Sequence, residues 1–221
     1  MVAVDTEVLV SEILIDIKAV HCNLDEPFVF TSGTVSPAYV DCRKIISFPT
    51  ERRKIIELAC AVVKNNIEKN DIEVVAGGET AGIPFAAWLS DYLNLPMIYV
   101  RKAPKGFGRL AQIEGNIEPG RKVLLVEDLI FDAKSKETFA EGIKKAGAIV
   151  ENCLVVFDYG FRGSREKLKR NGIGLYSLSN WDILLRVGKE KGYFTGRQIE
   201  EIQGFLNEPG KWAENRMRNL T

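Results

Sequence analysis

Histidine is almost absent from this chain: His21 is the only one in 221 residues. That excludes a multi-histidine metal site. With no pattern of acids around His21, it also argues against Ser-His-Asp chemistry. Cysteine is sparse as well. Cys22, Cys42, Cys60 and Cys153 are scattered with no CxxC pair. They read as small buried hydrophobes in a reducing cytosol, not as a disulfide frame or zinc site. Neither sign of charge is in excess, since 30 basic side chains meet 30 acidic ones. Net charge therefore implies no nucleic-acid partner. No apolar run approaches the roughly 20 residues that span a bilayer, and the first residues lack the basic start of a signal peptide. The expectation is a cytoplasmic protein with no membrane partner.

What is present is an ordinary globular composition, 46% hydrophobic and 27% charged, of a length that suits one α/β domain with appendages. Val8, Leu9, Ile13, Leu14, Ile17 and Val20 recur at helical spacing over residues 5–20. Residues 25–34 and 36–43 read as short extended stretches in a small hairpin-bearing lobe. A helix is expected from Pro49 to about Asn66, with Thr50 as its N-cap. The rhythm then becomes strand and helix in alternation. Strands are expected at 72–76, 97–101, 123–128 and 153–157, and helices at 83–93 and 135–146, the latter stopped by Gly147. Short apolar strands alternating with helices imply a Rossmann-like, mostly parallel sheet covered on both faces. Residues 181–189 and 197–206 read as C-terminal helices. The division expected is an N-terminal helix and hood (1–48), an α/β core (49–180) and a helical C-terminal segment (181–221).

The run Lys122-Val-Leu-Leu-Val-Glu-Asp-Leu-Ile130 drives a strand straight into two acids, and Phe131-Asp-Ala-Lys-Ser135 then opens a helix. Paired acids can hold ribose hydroxyls, while loop amides at a helix N-terminus can hold a phosphate. Between Arg101 and Lys122 lies a polar, glycine-rich segment with no helical pattern, carrying Lys102, Lys105 and Arg109. Cations on a mobile loop suit a polyanion that is covered and then released. Gly77-Gly-Glu-Thr-Ala-Gly82 adds a third loop. All three follow the carboxyl ends of strands and can converge at one edge of the sheet. Together they fit a sugar with a phosphate at one end and a pyrophosphate leaving group at the other, bridged by a hard divalent ion such as Mg²⁺.

The strand-acid-loop run resembles the phosphoribosyl diphosphate (PRPP) motif of type I phosphoribosyltransferases. Phe30-Thr-Ser-Gly33, Ser36-Pro-Ala-Tyr-Val-Asp-Cys-Arg43, Gly77-Gly-Glu-Thr-Ala-Gly-Ile-Pro84, Tyr99-Val-Arg-Lys102, Lys105-Gly-Phe-Gly108 and Gln112-Ile-Glu-Gly115 narrow the resemblance to orotate phosphoribosyltransferase. The resemblance implies the type I phosphoribosyltransferase fold and a step of pyrimidine biosynthesis: orotate and PRPP give orotidine 5′-monophosphate and pyrophosphate, with Mg²⁺. It implies a homodimer whose loop 102–115 completes the neighbouring active site. Lys105, Glu127 and Asp128 would form the catalytic group. Arg101, Lys102 and Lys105 would contact the pyrophosphate, with Thr80 and Ala81 as a further PRPP contact. Leu129 and Ile130, with the 5′-phosphate loop of Phe131, Asp132, Ala133, Lys134 and Ser135, would also bind PRPP. Thr31, Tyr39, Val40 and Phe131 would border orotate. No protein side chain is expected to ligate the metal directly.

Two departures stand out. The family usually has Thr-Thr-Gly-Gly-Ser or Thr-Asp-Gly-Gly-Ser where this chain has Phe131 to Ser135. Ala133 fits that loop if its φ is negative; a strained backbone there costs about 1–3 kcal/mol. Phe107 replaces a histidine common in the flap. The altered loop keeps a second reading open, a catalytically impaired or regulatory protein of PRPP fold. Arg43 reads as a structural ion pair rather than a substrate contact.

Overall fold

The computed structural model describes residues 5–30, 32–67, 72–108 and 111–218. Thr31 and Arg109, two residues singled out above, lie outside them.

Helix α1 (Thr6–Asp16) is capped by Asp5, whose carboxylate accepts from the Glu7 and Val8 amides. It ends earlier than its periodicity suggests. Lys18 takes a left-handed φ of 56°, and Val20 already belongs to strand β1 (Val20–Cys22). Strands β2 (Phe28–Val29), β3 (Val35–Ser36) and β4 (Ala38–Val40) complete the hood, with β2 antiparallel to β3 and β1 antiparallel to β4. A 3-10 turn (Cys42–Ser47) leads to α2 (Pro49–Asn66). Thr50 is not its cap but lies inside the first turn. Phe48 precedes the helix without a side-chain cap, and Pro49 occupies the first position, where a missing N–H leaves no bond unmade.

The core follows as β5 (Val74–Gly78), α3 (Gly82–Leu93), β6 (Met97–Val100), β7 (Ile113–Glu114), β8 (Lys122–Ile130), α4 (Lys134–Lys145), β9 (Ile149–Asp158), α5 (Arg162–Arg170) and β10 (Gly174–Asn180). The sheet order is β10-β9-β8-β5-β6-β7, parallel throughout except for β7. Helices α6 (Trp181–Glu190), α7 (Gly196–Asn207) and α8 (Pro209–Arg218) close the chain. A Thr195–Gln198 capping box starts α7.

Both sheet faces are buried, as a parallel sheet requires. On one face Leu124, Val126, Leu154 and Leu178 pack with Leu14, Ile55, Phe85 and Leu184. On the other, Val123, Leu125, Cys153 and Val155 pack with Phe139, Ile143 and Leu168. From Val123 to Val126 the period-two alternation of β8 therefore sends odd residues towards α4 and α5 and even ones towards the α1, α2 and α3 side, and beyond Asp128 it reverses, Leu129 packing on the first cluster and Ile130 on the second. That parity governs the site.

Candidate active site

A cleft of about 930 Å³ opens at the carboxyl edge of the sheet, between the hood, the loops after β5 and β8, and the root of the flap. Thr80 and Ala81 line it from the loop after β5, whose Glu79–Thr80 peptide is cis. Lys102 lines it from the flap, and its amide donates to Glu79 Oε2 at 2.8 Å, tying the two loops together.

The two acids do different things because they face opposite ways. Asp128, on the even face, is half-buried and open to the cleft. Burial raises its carboxyl above the ordinary range, while Lys136 and Arg43 pull it back. Glu127, on the odd face, is only 5% exposed. Its Oε2 accepts from Lys136 Nζ at 2.8 Å. Its Oε1 meets no donor in hydrogen-bond geometry among the described residues, although the nearby Gly82 amide favours its charge. Burial pushes the Glu127 carboxyl up to about 7 against the opposing pull of Lys136. Burial alone would lower Lys136, but Glu127 and Asp128 together outweigh it and raise the ammonium. Gly78 and Gly82 make room for this carboxylate: a Cβ at either position would stand 2.5 Å from Glu127 Oε1.

The phosphate loop turns at Ala133, which has φ 65° and ψ −11°. The negative φ that would have suited alanine is not what the loop adopts; the turn keeps the left-handed backbone that glycine tolerates and alanine adopts at about 1–2 kcal/mol. Ala133 is buried and lines the cleft, while Lys134 is exposed and points elsewhere, its amide donating to Asp132 Oδ1 at 3.1 Å. Beyond Lys134, whose amide is taken by Asp132, the first-turn amides of α4 have no intrahelical acceptor of their own and stand beside Ser135.

Phe131 faces the hood. It packs on Phe30, Tyr159 and Phe161 at ring-centre distances of 5.0, 5.4 and 4.4 Å. Tyr39 stacks on His21 and touches Phe28 and Phe30. Burial raises its phenol, with Asp41 adding to the effect. The hood side of the cleft is thus an aromatic wall of Phe28, Phe30, Tyr39, Phe131 and Tyr159. Arg43 reaches the same wall, donating to Tyr39 Oη at 2.6 Å and to Asp41 Oδ1 at 3.0 Å.

The cleft brings together Thr80, Ala81, Lys102, Glu127, Asp128, Leu129, Phe131, Asp132, Ala133, Ser135 and Tyr39. Other expected residues stand apart from its lining. Arg101 pairs with Glu114 at 3.4 Å. Lys105 is exposed on the flap, its amide donating to the Ala111 carbonyl at 2.7 Å. Val40 and Ile130 are fully buried, and the Val40 amide already donates to Tyr159 Oη at 3.0 Å. The residue that sequence reasoning missed is Lys136. Its signal was available: a lysine in the first turn of a helix opposes the helix dipole, and it sits where period two delivers Glu127.

The phosphoribosyl transferase domain family matches residues 45–180, so the sheet edge and its loops are those of that class. A relative named orotate phosphoribosyltransferase from Sinorhizobium fredii is 45% identical over 207 residues, 93% of this chain and 89% of the relative. One of the same name from Dinoroseobacter shibae is 43% identical over 212 residues, 96% and 94% of the two chains. The chain belongs to the orotate phosphoribosyltransferase family. Among solved structures, orotate phosphoribosyltransferase from Aeropyrum pernix superposes with a TM-score of 0.69 at 28% identity, covering 83% of this chain and 99% of that one. Leishmania donovani UMP synthase superposes with a TM-score of 0.78 at 25% identity; the match covers 91% of this chain and spans 42% of that longer one.

Proposed function

We propose that the protein transfers the 5-phosphoribosyl group of PRPP to orotate, giving orotidine 5′-monophosphate and pyrophosphate. The observation that carries this reading is the opposition, across one cleft, of an aromatic wall to an acid pair and a helix N-terminus. The ribose rests on Asp128 and on Glu127 Oε1, the buried oxygen that has no donor among the described residues. Its 5′-phosphate meets Ser135 and the first-turn amides of α4. The pyrimidine lies against Tyr39 and Phe131. Lys102 and, once the flap closes, Lys105 meet the pyrophosphate. The bond from the anomeric carbon to pyrophosphate breaks as the ring nitrogen of orotate attacks. Positive charge that builds on the sugar is balanced by the carboxylates below it, and the leaving group by the flap lysines. Orotate is already an anion, so no histidine is needed as a base.

Among the described residues no cluster of three acidic, histidine or cysteine side chains could cage a metal. One open acid beside a diphosphate site fits a hard cation that keeps its waters. Mg²⁺ carried on PRPP oxygens would supply charge neutralisation of the leaving group. A homodimer, in which the flap of one subunit covers the neighbouring cleft, agrees with the outward position of Lys105 and the fully exposed Phe107 at the loop tip. No helix among the described residues is long and apolar enough to cross a membrane, and a cytoplasmic biosynthetic enzyme is the reading adopted.

The test is consumption of orotate by the purified protein with PRPP and Mg²⁺, beside the Ala133→Gly/Lys134→Gly variant. Turnover by the native chain is expected. Turnover only after the two glycines are introduced would instead support the impaired-site reading, and none in either protein would refute the reaction.

A further inference from the structure

Lys136 is buried at the first turn of α4, 5% exposed, with its Nζ 2.8 Å from Glu127 Oε2 and 3.2 Å from Ser135 Oγ. A buried ammonium is expensive to desolvate, and a helix N-terminus is the end where a cation is least favoured. A neutral side chain would fill the same space at lower cost. The placement therefore asks for a reason beyond packing.

We propose that Lys136 is a positioning residue for ribose binding: by gripping one oxygen of Glu127 it keeps that carboxylate ionised and turned so that the other oxygen stands unpaired at the cleft wall as an acceptor for a ribose hydroxyl. The inference rests on the phosphoribosyl reading of the cleft. Oε1 is the orphan buried oxygen, walled by Gly78 and Gly82, and Glu127 lines the cleft. The groups that face the pair are few. Asp128 from β8 raises the Glu127 carboxyl, while Lys136 from α4 and the Gly82 amide from α3 lower it. The Cys153 thiol from β9 faces Lys136 from below and is itself pushed up by burial, to about 12. Lys136 is thus the cation that opposes both burial and Asp128. Without it Glu127 takes up a proton and loses strength as an acceptor.

The experiment is calorimetric titration with PRPP and Mg²⁺ from pH 5.5 to 9. It compares the native chain, Lys136→Met, and the double variant Lys136→Met/Glu127→Gln, which removes both members of the pair. The double variant reports the ligand's own titration. The native chain should gain affinity relative to it as pH rises through about 7, where Glu127 ionises. In Lys136→Met that midpoint should move up by at least about one pH unit, which weakens binding at pH 7 about fivefold or more, and the deficit should shrink towards pH 9. A folded Lys136→Met with an unmoved midpoint, or one weakened by the same factor at every pH, would show a structural role only and overturn the proposal. Should Lys136→Met not fold, the native chain and the double variant still decide: identical pH profiles overturn it. A native chain that binds no PRPP at any pH would count against the proposed function itself.

Discussion

Replacing Tyr159 by phenylalanine deletes one oxygen from the joint between hood and core. Tyr159 follows β9, is 3% exposed, and its hydroxyl accepts the Val40 amide at 3.0 Å. The ring contacts to Phe30, Phe131, Phe157 and Trp181, at 5.9, 5.4, 5.7 and 5.8 Å, need no hydroxyl and should persist. Apolar burial is then unchanged, and what remains is a buried N–H with no acceptor. Leaving such a donor unsatisfied costs about 1–3 kcal/mol. At about 2–4 °C per kcal/mol for a chain of this size, Tm should fall by about 2–12 °C. The loss should not stop at stability. Val40 is next to Tyr39, so loosening β4 should raise KM for orotate more than KM for PRPP. Thermal melts and initial rates with each substrate varied in turn measure both. A variant that melts within about 1 °C of the native protein with both KM values unchanged would refute the claim that this bond fixes the hood.

Gly82→Ala should be poorly tolerated. Its Cβ would stand 2.4 Å from the Val126 carbonyl oxygen and 2.5 Å from Glu127 Oε1, and overpacking of this kind costs about 1–3 kcal/mol by urea unfolding. Lys102→Ala removes an ammonium from the cleft rim, and loss of a charged hydrogen bond of about 1.5–3 kcal/mol should lower kcat/KM for PRPP about 10- to 150-fold. The same variant should melt at the native temperature, because Lys102 is exposed; a drop in Tm with unchanged kinetics would reverse the assignment.

The sheet was legible where burial on both faces writes an unbroken apolar run. β8 and the buried end of β9 are such runs, and the structure extends each by a few residues. β10 escaped notice because Ser177 and Ser179 interrupt it, and as an edge strand it pairs on one side only. α5 was equally silent: Arg-Gly-Ser-Arg-Glu-Lys-Leu-Lys-Arg offers little but Leu168 to the core. In the site, the strand-acid-loop run put both acids at the sheet edge, but adjacency in sequence gave no hint that their surroundings differ. Period two separates Glu127 from Asp128 and sends only the second straight into the cleft. Arg101 was placed with the flap cations because nothing in a two-residue segment foretells β7, and it is Glu114 of β7 that holds its guanidinium. Phe131 read as a lost hydroxyl; its partners Phe30, Tyr159 and Phe161 come from distant segments that only folding assembles.

The stub β7 has a consequence for handling the protein. The open rim of a sheet presents amides and carbonyls in a row that a stray chain can copy. Here β7 pairs with Tyr99 and Val100, half of β6, and runs against the direction of its neighbours. It is too short to serve as a template itself. Arg101 and Gln112 are joined amide to carbonyl at 2.8 Å just beyond it, and this clasp keeps the rim covered at the root of the segment above. Breaking the clasp, as by Arg101→Pro, which removes the donating amide, should therefore reveal itself first as turbidity on concentration.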